Sequence, residues 1–274
     1  MLGSLGDAED IVQEALLRWH AADAAAIRSA EAWLVATTTR LAIDRLRTAA
    51  AERRAYAGPW LPEPWPGEVD DVTPDRRLER AADLSVAFLL LLERLGPEER
   101  AAFLLREVFE VAYAEIAECR GRSEAACRQL VHRARARLRD GRPRWSAGRA
   151  EHRSLLARLL AAVEAGDQDR LLALLAPDAA LISDGGGRVR AARNVIHGAD
   201  RVARFLLGVT RKQAGPLRDQ LVVINGAAGV LRRRGSEVHS TLSIASDASG
   251  AIHAVYVTLN PDKLRRIGAA PPIG

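Results

Sequence analysis

Between residues 7 and 20 the apolar positions Ala8, Ile11, Val12, Ala15 and Leu16 repeat with a helical period. That spacing predicts a one-faced helix, for which Asp7 offers an N-cap. A second helical block is predicted over Ser29–Arg54, with Trp33, Leu34, Leu41, Ile43 and Leu46 inside and Arg40, Arg45, Arg47, Arg53 and Arg54 outside. Pro59, Pro62, Pro64 and Pro66 then exclude a helix and predict an extended linker. Its tryptophans, Trp60 and Trp65, are unusual for a passive spacer and should dock onto a surface. Helical patterning resumes near Arg76 and continues to Arg139, and Pro143–Gly148 forms a shorter break. Two amphipathic helices follow, one on Leu155, Leu156, Leu159, Leu160 and Val163 and one over Asp169–Leu175. Strand-like alternation then occupies Gln220–Asn225, Gly229–Arg234, Val238–Ala245 and Ile252–Leu259, with hairpin turns at Asn225-Gly226 and Asp247–Gly250. Helices first and antiparallel strands later indicate a separate α+β domain.

The segment Tyr113–Arg139 carries the sharpest pattern. Tyr113–Glu118 reads as a short helix and Cys119–Arg122 as a turn in which Gly121 takes positive φ. Ser123 caps a longer helix, whose Ala126, Cys127, Leu130, Val131, Ala134 and Leu138 share one side. Beside that side runs a stripe of Arg128, His132, Arg135 and Arg139. This is a helix-turn-helix presenting a cationic edge to a duplex.

Charge supports that reading. The 274-residue chain carries a net charge of only +5. Arg120–Arg149, however, holds ten arginines against Glu124 and Asp140, so 10 − 2 = +8 in one block. Lys212 and Lys263 are the only lysines. The two cysteines, Cys119 and Cys127, fall inside the helix-turn-helix, and without further ligands they predict core packing rather than a metal site. The chain opens with no signal peptide, and Leu84–Leu95 is too short to span a bilayer, which predicts a cytoplasmic protein with no membrane partner.

Residues 7–14, DAEDIVQE, resemble a region 2 helix of the extracytoplasmic-function sigma factors of bacterial RNA polymerase. The resemblance implies that Asp10, Gln13 and Glu14 contact the clamp of the β′ subunit. Residues 31–34 and 40–47, EAWL and RLAIDRLR, are similar to the helix that melts and reads the −10 element. Arg40, Arg45 and Arg47 would line the single strand, while Trp33 reads as core. The helix-turn-helix is similar to region 4, which reads the −35 element. Arg128, Gln129, His132 and Arg133 are the base-edge candidates. Arg120, Arg122, Arg135 and Arg137 are candidates for phosphates, and Ser123 opens the reading helix.

Three strings narrow the resemblance to sigma factors with a SnoaL-like C-terminal extension. They are WLPEP at Trp60, Leu61, Pro62, Glu63 and Pro64, then Asp184, Gly185, Gly186, Gly187 and Arg188, with Arg where the subgroup has Lys, and finally NPDKL at Asn260, Pro261, Asp262, Lys263 and Leu264. The implied organisation is multidomain: two all-α sigma domains followed by an α+β, cone-shaped SnoaL-like domain. Region 2 would occupy 1–56, the linker 57–79, region 4 80–142 and the SnoaL-like domain 150–267. Family members have a further helix ending in a string like RMLGS, of which Met1–Ser4 looks like the tail, so an internal start is expected. Its loss would expose the apolar side of Ile11, Val12 and Leu16.

The resemblance implies that the C-terminal motifs are regulatory contacts tuning initiation without a separate anti-sigma factor. No catalytic residue, metal or cofactor is implied, and an unidentified small ligand in the C-terminal cavity is a further partner it allows. SnoaL-like relatives include cyclases and isomerases, for which Asp184, His197, His239, His253 and Tyr256 are the available acid–base types. Two other readings are a stand-alone helix-turn-helix regulator and such an enzyme fused to a DNA-binding half. The first of these would account for neither the region 2-like helices nor the linker.

Overall fold

The computed structural model describes residues 1–23, 27, 29–67, 85–139, 149–213 and 215–267. The expected helix start near Arg76, the distal half of the linker and the Pro143–Gly148 break lie outside the described residues. The chain divides into two compact units. The first comprises 1–55, 73–81 and 88–141, and the second 56–72, 82–87 and 142–274.

The first unit is helical. Helix α1 spans Leu5–Ala21, and its N-cap is Ser4 rather than Asp7. Ser4 has the extended backbone a cap requires, and its hydroxyl accepts the Asp7 amide at 3.3 Å. Asp7 sits inside the first turn, where its carboxylate takes Arg45 Nε at 2.8 Å. Helix α2, Ala30–Arg54, is capped by Ser29, whose hydroxyl accepts the Ala32 amide. Ala42 and Leu46 of α2 bury against Leu2, with Met1, Ala8 and Ile11 alongside. Trp33 is half-buried, edge-on to Trp19 with ring centroids 5.4 Å apart. Arg45 and Arg53, expected outside, are partly buried because each finds an acidic partner. Arg45 also reaches Glu52, and Arg53 pairs with Glu93. On α1, Val12 and Leu16 are exposed, while Ile11 packs inward.

Short α3 (Val86–Leu92) leads to α4 (Pro97–Phe103), whose proline at N1 surrenders no hydrogen bond. One π-helical turn, Leu104–Val108, follows, and Glu110 then adopts φ 56°. Helix α5, Tyr113–Arg120, extends two residues beyond the expected Glu118, so Cys119 and Arg120 belong to its last turn. Gly121 ends it with φ 59°, a left-handed cap that a side chain resists. Ser123 caps α6, Glu124–Arg139, by accepting the Ala126 amide at 3.2 Å.

In the second unit, linker residues Pro66–Gly67 form β1 at one edge of a seven-stranded sheet ordered β1-β4-β5-β6-β7-β2-β3. Helices α7 (Arg149–Glu164) and α8 (Gln168–Leu174) lead to β2 (Leu175–Asp184) and β3 (Ile196–His197). Helix α9 (Ala199–Arg211) follows, then β4 (Arg218–Ile224), β5 (Ala227–Arg234), β6 (Glu237–Ser246), β7 (Ile252–Thr258) and the short α10 (Pro261–Leu264). All neighbouring strands are antiparallel except β2 and β7. The α+β expectation holds. The additions are the short β3 and α10, β2, a strand with a bulged parallel pairing, and α9, which buries Val202, Ala203, Leu206 and Leu207.

One sheet face, with Leu181, Val230, Leu242, Ile244 and Val255, is filled by Leu156, Leu159, Leu171, Val202 and Leu207 of the three helices. Val222, Ile224 and Leu231 on the other face are covered by Leu264 and Ile267. Adjacent residues Val230 and Leu231 thus serve opposite cores, as strand geometry requires.

Candidate functional site

Two groups of predicted residues are brought together, one in each unit. In the first, burial of Cys127, Leu130, Val131, Ala134 and Leu138 fixes the rotation of α6. Its outermost ridge is then Ala125, Gln129, His132 and Ala136, all exposed at i, i+4, i+7 and i+11. Arginines flank this ridge on both sides. On one side Arg133 Nε lies 3.6 Å from Glu99, and Arg137 Nη1 donates to the same carboxylate at 2.5 Å. On the other, Arg128 pairs with Glu124, and Arg135 Nη2 reaches Glu107 at 2.7 Å.

Arg128 also lies over the Tyr113 ring, 5.0 Å from its centroid, and Arg106 lies 4.9 Å from the same centroid. A slim, nearly neutral ridge between cationic rails suits a helix entering a groove whose edges are phosphates. The predicted stripe therefore splits: His132 rides the ridge and Arg128 and Arg135 form one rail. The side chain of Arg139 lies outside the described residues. Cys119 and Cys127 are free and buried, and burial pushes both thiols up. Among the described residues no group of His, Cys, Asp or Glu could hold a metal ion.

The region 2 candidates are placed differently. Arg40 Nη2 donates to the Cys119 carbonyl at 3.3 Å, and Arg47 bridges Asp44 and Glu98, at 2.9 and 2.8 Å. Arg45 is committed to Asp7 and Glu52. Asp10 and Gln13 are exposed on α1 beside Val12, Leu16 and Leu17, and Glu14 pairs with Arg18 at 2.8 Å.

In the second unit the three motif strings converge on Asp184. This carboxylate is fully buried and accepts four hydrogen bonds. Tyr56 Oη (2.6 Å) and the Gly186 amide (3.0 Å) reach Oδ1, while the Leu61 amide (2.9 Å) and Lys263 Nζ (2.7 Å) reach Oδ2. Lys263 also donates to the Leu61 carbonyl at 2.5 Å and lies 4.4 Å from the Trp60 ring centroid and 5.0 Å from that of Tyr56. Asn260 Nδ2 donates to the Tyr56 hydroxyl at 2.8 Å, and Asn260 Oδ1 caps Asp262. Burial, then the bond to Asp184, pushes the Tyr56 phenol well above the usual tyrosine range.

The glycines make this closeness feasible. A Cβ on Gly186 would lie 2.3 Å from Asn260 Nδ2, and one on Gly187 2.9 Å from Ala57 Cβ. Arg188, in the position the subgroup gives to Lys, is exposed and faces Asp262 at 3.4 Å. Leu61, Pro62 and Pro64 are buried, and Asn225 holds the Glu63 carbonyl and both backbone groups of Trp65. The linker docks, as its tryptophans predicted, although Trp65 itself stays exposed. Each oxygen of Asp184 thus accepts two hydrogen bonds, all from within the cluster. Tyr56 was missed: a lone tyrosine at the end of a helix carries no motif, and only the fold brings it to Asp184.

Residues 1–52 match the Sigma-70 region 2 family and residues 85–138 the Sigma-70, region 4 family. The ECF RNA polymerase sigma factor SigJ of Mycobacterium tuberculosis is 38% identical over 273 residues, covering 96% of this chain and 87% of that protein. SigG of the same organism is 38% identical over 206 residues, covering 65% of this chain and 55% of SigG. The crystal structure of M. tuberculosis SigJ aligns with a TM-score of 0.75 at 36% identity, over 96% of this chain and 91% of that one.

Proposed function

This chain belongs to the extracytoplasmic-function sigma factors of RNA polymerase, and on that premise we propose how its parts divide the work of initiation. As a sigma factor it joins the polymerase core and promoter DNA and starts transcription. Region 2 occupies 1–56, the linker 57–79, region 4 80–142 and the C-terminal domain 150–267. Helix α1 docks on the β′ clamp through Asp10, Gln13 and Glu14, with exposed Val12, Leu16 and Leu17 adding apolar area. Helix α2 offers Arg40 and Arg47 to the melted −10 strand, and Arg45 fixes its seat on α1. Helix α6 enters the −35 major groove along Gln129 and His132, while its arginine rails, with Arg122 and Ser123 at the turn, meet the phosphates; Arg120, buried against Glu98 at the end of α5, holds the turn in place instead. This work is cytoplasmic, where core polymerase and the chromosome are found.

The C-terminal domain acts as a regulatory module and not as an enzyme. Aliphatic side chains fill the space between its helices and sheet, and the Asp184 carboxylate is saturated by four donors. The observation that carries the regulatory reading is the seat of Leu61 on the Asp184–Lys263 pair: its amide donates to Asp184 and its carbonyl accepts from Lys263, which ties the linker joining the two promoter-reading parts to the C-terminal domain. Removing one partner of such a buried pair costs about 3–5 kcal/mol. Lys263→Met should therefore release Trp60 and Leu61 from the domain. Run-off transcription with purified core polymerase tests this. The wild type initiates specifically, and Lys263→Met and Asp184→Asn change transcript yield several-fold with core binding retained. Unchanged yield in both variants overturns the regulatory role, and no specific initiation by the wild type overturns the division of labour.

A further inference from the structure

Glu99, in the first turn of α4, is a buried acid beside helix α6. Its side chain is 9% exposed, yet the two arginines it pairs with, Arg133 and Arg137, are 58% and 55% exposed. Arg137 Nη1 donates to Oε2 at 2.5 Å, and Arg133 Nε lies 3.6 Å from Oε1. Oε2 also accepts the Gly96 amide at 3.3 Å, a capping bond that fixes this carboxylate at the start of α4. One carboxylate from a neighbouring helix thus holds a whole arginine rail by its inner side. An open groove of about 290 Å³ between the start of α4 and α6 is lined by both arginines, so their exposed parts border open space.

The opposite rail is built differently. Arg128 pairs with exposed Glu124, four residues back on α6 itself, and Arg135 pairs with half-buried Glu107. An exposed pair restrains its side chains weakly. A carboxylate that is itself buried and hydrogen-bonded does not follow its partner into solvent, so it confines an arginine that otherwise samples many rotamers. Ordering such a side chain on binding weakens affinity roughly two- to tenfold. A rail already held still avoids most of that loss.

We propose that Glu99 is a positioning residue for DNA binding, which holds Arg133 and Arg137 in place for the phosphate backbone and keeps its hold in the complex. This role rests on the assignment of that rail to phosphates. The sign of its effect separates it from simple charge. A carboxylate beside DNA repels phosphates, so on charge alone its removal should tighten binding. Positioning predicts the reverse, because the arginines keep their charge and lose their order. The same phosphates are still neutralised afterwards, so the salt slope stays unchanged.

Holoenzyme assembled from the full chain and purified core polymerase tests this on a promoter duplex across roughly 50–200 mM salt. Glu99→Gln keeps an acceptor oxygen for the Gly96 amide but loses the charge that holds the guanidinium groups. It should weaken binding roughly three- to tenfold with the salt slope unchanged. In an Arg133→Gln/Arg137→Gln background the same substitution should cause no weakening, because the residues it acts through are gone. Binding as tight as the wild type or tighter overturns the proposal. Equal weakening in both backgrounds also overturns it, since Glu99 would then act through the fold of α4. Should Glu99→Gln melt region 4, Arg137→Lys carries the test, because it keeps the charge without the planar fork. It should weaken binding several-fold more than Arg135→Lys on the opposite rail, and equal losses overturn the proposal. If Arg133→Gln/Arg137→Gln alone leaves binding unchanged, the phosphate assignment falls and this role with it. If that pair weakens binding while Glu99→Gln does not, only the role of Glu99 falls.

Discussion

Asp184 shows how one buried charge can organise three separate stretches of chain. Its four donors come from Tyr56, Leu61, Gly186 and Lys263, so the site forms only when the linker, the glycine loop and the C-terminal turn meet. Gly186 is held at φ 60° with Asn260 against it, and any side chain there adds backbone strain of about 1–3 kcal/mol to a steric clash. Gly186→Ala should therefore lower the melting temperature of the C-terminal domain, measured by calorimetry; an unchanged transition would show that the loop can relax away from Asn260. His152 offers a second residue-scale test. Burial holds its pKa below the usual value, while a bond to the Ala228 carbonyl opposes that shift weakly. A depressed histidine means that the unfolded chain takes the proton first. Stability from this site is therefore complete above about pH 6.5 and declines as the pH falls below it. Melting curves from pH 7.5 to 5.5 should show the decline, and His152→Gln should remove its part of it.

At the scale of elements, α6 is defined by what it buries. Cys127, Leu130, Val131, Ala134 and Leu138 face inward, which leaves Gln129 and His132 on a ridge between arginine rails. The two sets should therefore respond differently. Arg133→Ala with Arg137→Ala should weaken holoenzyme binding on all promoters alike and flatten the log–log salt slope by about 0.9 per lost phosphate contact. His132→Ala should alter preference at one or two base pairs, by about 1–3 kcal/mol each if it makes a direct base contact. Binding measured against a −35 library separates these outcomes. A uniform loss from His132→Ala would move that residue from the ridge to the phosphates. Element boundaries obey the same local physics: Ser4, Ser29 and Ser123 each cap a helix through their hydroxyls, and Gly121 ends one with a left-handed backbone.

Over the whole molecule, the linker changes its allegiance from what its sequence position suggests. Lying between two helical promoter-reading parts, it folds as a component of the C-terminal unit, contributes an edge strand and buries Leu61, Pro62 and Pro64 there. Limited proteolysis should therefore spare residues 56–67 in the full chain and cut them rapidly in a variant ending at residue 148. Equal cutting in both would mean that the linker is held by something other than the C-terminal domain. The sequence by itself determined α1, α2, the helix-turn-helix and the β4–β7 hairpins, because periodic burial and turn residues act over a few positions. It also carried a signal for α9, whose Val202, Ala203, Leu206 and Leu207 have helical spacing. The three motif strings marked Asp184, Lys263 and Trp60 as contact residues without saying which atoms meet. Only the tertiary structure decided that Tyr56 completes their cluster, that β2 pairs in parallel with β7, and which glutamate each arginine of α2 and α6 takes. Those choices join residues as far apart as Arg47 and Glu98, or Tyr56 and Asp184. A charge or hydroxyl selects its partner by proximity in space, and along a chain that information exists only after the core has packed.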